Sequence, residues 1–302
     1  MPPKECRRFL VPAILSLIIV LLISSNAFAQ EHKIKGDIRV PGQDTIQIIT
    51  TNDGSTVIGR ILSVRDTEIT FKSNLGESNI PLANIKEIKA APASSVKKGN
   101  YWFENPNATR LYFGPTARML KQRQGYFSDC YIIFPSVAYG ITDHITMGAG
   151  VSLVPGLDIN KQVYYINPKI GLSATSNTSF ALGGLLFALP EIDHKRNTLG
   201  IIYGVGTLGN PDGSLTLGLG YGMVNSDFAN KPAVMFGGEK RFARRLSFVS
   251  ENWIIPEVDQ PIISYGMRFF GEGLGVDLAF FNLAGEDAFF PGIPWIDFVF
   301  MF

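Results

Sequence analysis

The chain has 302 residues, 18% of them charged, and a formal net charge of +1, a balance that gives no electrostatic case for a nucleic-acid or strongly acidic partner. The length admits two domains, and the 31 glycines exceed the usual share while the charged fraction falls below it. After residue 30 no run reaches the roughly 18 consecutive apolar residues that a spanning helix requires.

Residues 1–29 read as a secretory signal peptide. Lys4, Arg7 and Arg8 form a basic start, Phe9 to Ile23 an apolar core, and Ala27-Phe28-Ala29 a small-residue cleavage site that leaves Gln30 at the mature N-terminus. No cysteine follows that site, so the signal is not of lipoprotein type. Its removal takes Cys6 away and leaves Cys130, so cysteines supply neither an intramolecular disulfide nor a metal site. Cys130 reads as a small apolar residue on a strand.

Residues 30–90 hold short β-branched runs separated by Asn52-Asp53-Gly54, Arg65-Asp66 and Asn74-Leu75-Gly76, the first a good hairpin signal. Ile46, Ile48, Val57, Ile61, Val64, Ile69, Phe71, Ile80, Leu82, Ile85 and Ile88 are expected to fill one small core. This stretch resembles SH3-like and Sm-like small β-barrels, which implies a compact interaction domain. Phe71 is its single aromatic residue, so it lacks the stacking surface of a nucleic-acid binder. Residues 91–107 read as a linker of small, basic and turn-forming residues.

From Ala108 to Phe302 the chain divides into twelve strand-length runs, with ten or fourteen as the neighbouring counts, beginning at Leu111–Met119 and ending at Pro294–Phe302. Large apolar side chains alternate with small ones, as in Leu215, Leu217, Leu219 and Tyr221 against Thr216, Gly218, Gly220 and Gly222. A period of two puts these sets on opposite faces of a strand. The rows Ile145/Met147/Ala149/Val151/Leu153, Leu199/Ile201/Tyr203/Val205 and Leu274/Val276/Leu278/Phe280 are expected to face lipid, with their slim partners inside. The pattern is that of a transmembrane antiparallel up-and-down β-barrel, whose closed ladder satisfies every backbone amide. The fold class is therefore all-β, a barrel preceded by the small β-domain.

Mid-strand charges then need an inward position, because Lys or Arg facing lipid costs about 2–4 kcal/mol. Lys169, Glu239, Arg241, Glu251, Arg268 and Asp277 are placed in the lumen on this ground. The turn Gly271-Glu272-Gly273 predicts an Arg268–Asp277 ion pair reached on the diagonal, with Glu251 as second partner of Arg268.

The final strand alternates Ile296, Phe298, Phe300 and Phe302 on one face. It resembles the last strand of bacterial outer-membrane proteins, which implies recognition by the barrel-assembly machinery and contact with outer-membrane lipid. Tight joints at 142–144, 176–178, 211–213, 243–245 and 271–273 alternate with longer loops ("KQRQGYFSD", "PGLDINK", "PEIDHKRN", "NSDFANK", "PEVDQ", "AGEDAFFPG"). Short turns belong to the periplasmic side, which puts both barrel ends and the small domain there. Asp158, Asp193 and Asp259, in the recurrent VPGLD, LPEID and IPEVD, are expected on the outer rim, as turn-capping residues or as a carboxylate ring for cations.

His32, His144 and His194 are the histidines of the mature chain, and no spacing joins one to a nucleophile. The expectation is a non-enzymatic outer-membrane barrel, structural or a passive small-solute pore, with no cofactor and a periplasmic or envelope partner for the small domain. The competing readings are a soluble secreted all-β binding protein and a barrel lipid hydrolase.

Overall fold

The computed structural model describes residues 34–192, 195–256, 258–285 and 290–302. The signal segment, His32 and Asp193 lie outside the described residues. The chain divides into two compact units after Asn100.

The first unit is an antiparallel sheet of β1 (Thr45–Thr51), β2 (Thr56–Val64), β3 (Glu68–Ser73), β4 (Gly76–Pro81) and β5 (Ile85–Pro92). Their order is β4-β3-β2-β1-β5, a meander whose last strand returns to the first. At the β1–β2 turn Gly54 has φ +84°, a conformation that costs glycine nothing. The Thr51 hydroxyl and the amide and hydroxyl of Ser55 all donate to Asp53. They hold its carboxyl below the ordinary range.

Ile49, Ile61, Ile69, Phe71, Ile85 and Ile88 form the core of this sheet, with Val57, Ile80 and Leu82 packed against it. Ile48 is buried as expected but stands outside that cluster, Ile46 is only half-buried and Val64 is exposed. Two causes act. Ile48 and Ile49 are adjacent, so either phase of β1 has an apolar row. A bulge between Ile61 and Ser63 then shifts the phase of β2 before it reaches Val64.

The second unit is a closed barrel. Its strands are β6 (Gly125–Cys130), β7 (Phe134–Thr142), β8 (Ile145–Val151), β9 (Tyr164–Thr175), β10 (Thr178–Ile192), β11 (Lys195–Asn210), β12 (Gly213–Val224), β13 (Ala233–Ala243), β14 (Leu246–Ile254), β15 (Ile262–Phe270), β16 (Leu274–Leu283) and β17 (Ile293–Met301). Each pairs antiparallel with the next, and β17 closes on β6 through Phe298↔Asp129 and Phe300↔Phe127. Among the described residues no helix is long and apolar enough to cross a membrane, and the strands form an all-β twelve-stranded barrel.

The count of twelve holds, but one member changes. Leu111–Met119 is not a strand; Gly125–Cys130 takes its place in the ladder. Residues 105–120 instead run through the lumen and 121–124 lie at its rim, so the stretch 91–107 is no simple linker: Asn105, Pro106 and Asn107 are buried inside the barrel. Pro115 sits in this segment, where no ladder needs its missing amide.

Five short turns and both barrel ends lie at one rim, where Gly125 and Phe302 exchange backbone hydrogen bonds. The opposite rim carries the other connections. Two of the expected outer loops differ: "KQRQGYFSD" lies at the rim of the barrel ends and in β6, and "PEIDHKRN" is mostly absorbed into β10 and β11, which run 15 and 16 residues.

Ile145, Met147, Ile170, Leu182, Leu217 and Leu278 are among the large apolar side chains exposed on the outer wall. A belt of this kind around a closed barrel is a surface for lipid rather than water. One face is reversed. Tyr203 and Val205 point inward and are buried, while Ile202 and Leu208 face out. The cause is the luminal segment: Leu111, Tyr112 and Ala117 give β11 an apolar partner inside the barrel.

Candidate functional site

The site is the filled lumen. Residues 101–124 carry no regular strand in the ladder, so their backbone polar groups need partners that the wall must supply. Those partners are charged side chains on inward positions.

Arg268 is fully buried. Its Nε donates to Asp277 Oδ1 at 2.7 Å and Nη2 to Asp277 Oδ2 at 2.8 Å. Nη1 donates to Glu239 Oε2 at 2.8 Å and to the Asn107 carbonyl at 3.2 Å. Nη2 also donates to the Leu111 carbonyl. These bonds occupy all five guanidinium donors. The two carboxylates are held from the luminal segment as well, Glu239 by Asn105 Nδ2 and Asp277 by Asn107 Nδ2, at 2.8 and 2.9 Å.

Glu251 serves the opposite polarity. Its Oε2 accepts the backbone amides of Tyr112, Phe113 and Gly114 at 2.8, 3.0 and 2.8 Å, and its Oε1 accepts Trp253 Nε1 at 2.8 Å. Tyr112 donates its hydroxyl to the Val249 carbonyl at 2.7 Å. One carboxylate thus fixes a complete turn of the segment.

Lys169 Nζ donates to the carbonyls of Thr109, Thr116 and Arg118 at 3.0, 3.0 and 2.8 Å. Arg241 donates to the Phe103 carbonyl at 2.7 Å and lies over the rings of Trp102 and Phe270, 4.8 and 4.4 Å from their centroids. Arg110, from the segment itself, pairs with Asp297 of β17 at 2.6 Å. Asp277 and Asp297 stand directly opposite each other on β16 and β17. Such like charges repel, and each is matched by its own arginine.

All six residues assigned to the lumen therefore lie there. Arg268 and Asp277 are paired, but as direct cross-strand partners rather than on a diagonal. The register is displaced by two residues from the one the sequence indicates: Phe270 lies opposite Gly275, which brings Asp277 instead of Gly275 opposite Arg268. Glu251 is not the second partner of Arg268; Glu239 is. Asn105, Asn107, Arg110 and Asp297 complete the network. Asp297 was legible as the inward residue between Ile296 and Phe298, whereas the other three sit in a segment without periodicity.

At the opposite rim Asp158 and Asp259 are exposed on separate loops, and Asp158 lies 3.6 Å from Lys161. Among the described residues no group of three or more His, Cys, Asp and Glu side chains is arranged to hold a metal. Ile296, Phe298 and Phe300 face outward on β17, opposite the buried Asp297 and Val299. The ring of Phe302 covers Gly125, where a Cβ would lie 2.6 Å from it.

No protein-family model matches the chain, and no curated protein matches it. Among solved structures it is similar to OmpT, an outer membrane protein of Vibrio cholerae, at 11% identity and TM-score 0.33, covering 85% of this chain and 95% of that one. It is also similar to OprD of Pseudomonas aeruginosa (9%, TM-score 0.32, 88% and 98% covered). A mutant porin of Rhodopseudomonas blastica follows at 9% identity and TM-score 0.31, with 85% and 98% covered. The fold assignment rests on the hydrogen-bonded ladder, not on these likenesses.

Proposed function

We propose that the chain is a bacterial outer-membrane β-barrel of structural type, closed by its own luminal segment and carrying a small SH3-like domain for an envelope partner on the periplasmic side. The observation that carries this reading is the use of the wall charges. Lys169, Glu239, Arg241, Glu251, Arg268 and Asp277 each bond an atom of residues 103–118. A passive solute path needs luminal charge that is free to meet water and ions, so the pore role requires the segment to leave.

The belt of exposed apolar side chains supports a bilayer location, and the aromatic row ending at Phe302 supports handling by the barrel-assembly machinery. The SH3-like reading is supported by the return of β5 to β1 and by the 3-10 turn at Leu82–Asn84 that precedes it. The reading is non-enzymatic; His144 spends Nδ1 on the Gly171 carbonyl at 3.1 Å. Planar-bilayer recording of the refolded full chain tests the proposal: the expected result is no steady conductance, and stepwise openings at low voltage would restore the pore reading.

A further inference from the structure

The lumen is not filled evenly. Between residues 109–115 and the wall of β6 to β10 lies a cavity of about 70 Å³. A water needs roughly 10–15 Å³ of such volume, so the space holds a few waters or one small ion. Its lining includes Arg110 and Lys169, with Tyr126, Tyr165, Thr146 and Asn167, and contains no Asp or Glu.

Charge is balanced over the whole lumen but not here. Glu239, Glu251 and Asp277 are spent around Arg268 and the Tyr112–Gly114 turn, and Asp297 is spent on Arg110. Lys169, 6% exposed, has three carbonyl partners and no carboxylate within ion-pair distance among the described residues. Carbonyl dipoles solvate an ammonium without cancelling its charge. A buried charge left unmatched is costly, and a mobile counter-ion removes that cost.

The cavity has the donors such an ion needs. Asn167 accepts the Tyr203 hydroxyl at 3.2 Å through Oδ1, which leaves its amide hydrogens for a ligand. Gly148 lines the cavity without a side chain, and a Cβ there would make ordinary contact with Asn167 at 3.4 Å, so a larger side chain at this position takes up the space.

We infer that this cavity is a binding site for one small monovalent anion of halide or formate size, the counter-ion of Lys169. A divalent oxyanion does not suit it, because one unmatched ammonium cannot balance two charges.

Crystals of the full chain soaked in sodium bromide test the site by anomalous scattering. The expected result is a bromide peak in the cavity beside Lys169 and Asn167. The peak should vanish in Lys169→Met, which keeps the volume and removes the charge, and in Gly148→Val, which keeps the charge and fills the volume. A solution measurement runs in parallel: the thermal unfolding midpoint of the refolded barrel in sodium chloride against sodium gluconate at equal ionic strength. Wild type should unfold at a higher temperature in chloride, and both variants should lose that difference. If Lys169→Met does not fold, Gly148→Val decides the matter alone. An empty cavity in bromide-soaked wild type, or a chloride effect that survives in Gly148→Val, would overturn the assignment.

Discussion

At the scale of single residues, the wall of this barrel works through charges that recognise backbone. Arg268 has no donor left over, so loss of Asp277 takes the carboxylate acceptors from its Nε and Nη2 in a buried site and leaves Glu239 as its one carboxylate partner. Asp277→Asn is expected to destabilise the barrel by about 1–3 kcal/mol, the range for leaving a buried donor without its acceptor, read as a lower urea midpoint of the refolded protein. A loss of only about 0–1 kcal/mol, the range for exposed pairs, would mean that water reaches the site. The Arg268–Asp277 pair was legible because both residues fall on the inward phase of adjacent strands joined by a short turn, although their register was not. The role of Glu251 was not, because its partners are amides of Tyr112, Phe113 and Gly114, which no side-chain pattern displays. A surface carboxylate gives a contrasting case. Asp53 is held below its ordinary 3.8 by Thr51 and Ser55. Its contribution is therefore present above that value and lost as pH falls through the lowered one. Pulse proteolysis of the full chain should find the first unit of Asp53→Asn less stable than wild type at pH 6, with the difference shrinking as pH falls below 3.8.

At the scale of elements, alternation decides which face a strand shows, and it decides well only where one row is small. β12 sets Leu215, Leu217 and Leu219 against Thr216, Gly218 and Gly220, and the structure follows it. Leu217→Arg is expected to cost about 2–4 kcal/mol in a bilayer-unfolding titration, as for a cation near the midplane. In β11 both phases are apolar, with Ile201 and Ile202 adjacent, so the pattern leaves the choice to tertiary contacts. The luminal segment makes that choice by covering Tyr203 and Val205. The segment itself was hidden for a related reason. Its Leu111 and Met119 mimic a strand, while the cue against one is only Pro115. The closing seam carries its own prediction. Phe302 covers Gly125 and pairs with its backbone, so deletion of Phe302 should lower the amount of heat-modifiable barrel in the outer-membrane fraction. Wild-type levels after the deletion would count against a role for this residue in assembly.

At the scale of the whole molecule, the long connections on one rim and the barrel ends on the other define two sides. With Cys130→Ser as background, a cysteine replacing Asp158 should react with an impermeant maleimide on intact cells, and one replacing Asp53 should react only after the outer membrane is opened. The reverse pattern would invert the topology. The path of the luminal segment also bears on the order in which the molecule is put together. Residues 101–124 lead straight into β6, the strand that meets β17 at the seam. They are made before any of the wall, yet many of their binding partners, from Glu239 to Asp297, are made last. The segment must therefore wait, unpaired, until the C-terminal half arrives, and it must be inside before the seam shuts. Encapsulation and closure become one coupled event, and a barrel that seals too early would be trapped around Glu251 and Asp297 without the segment groups that hold them.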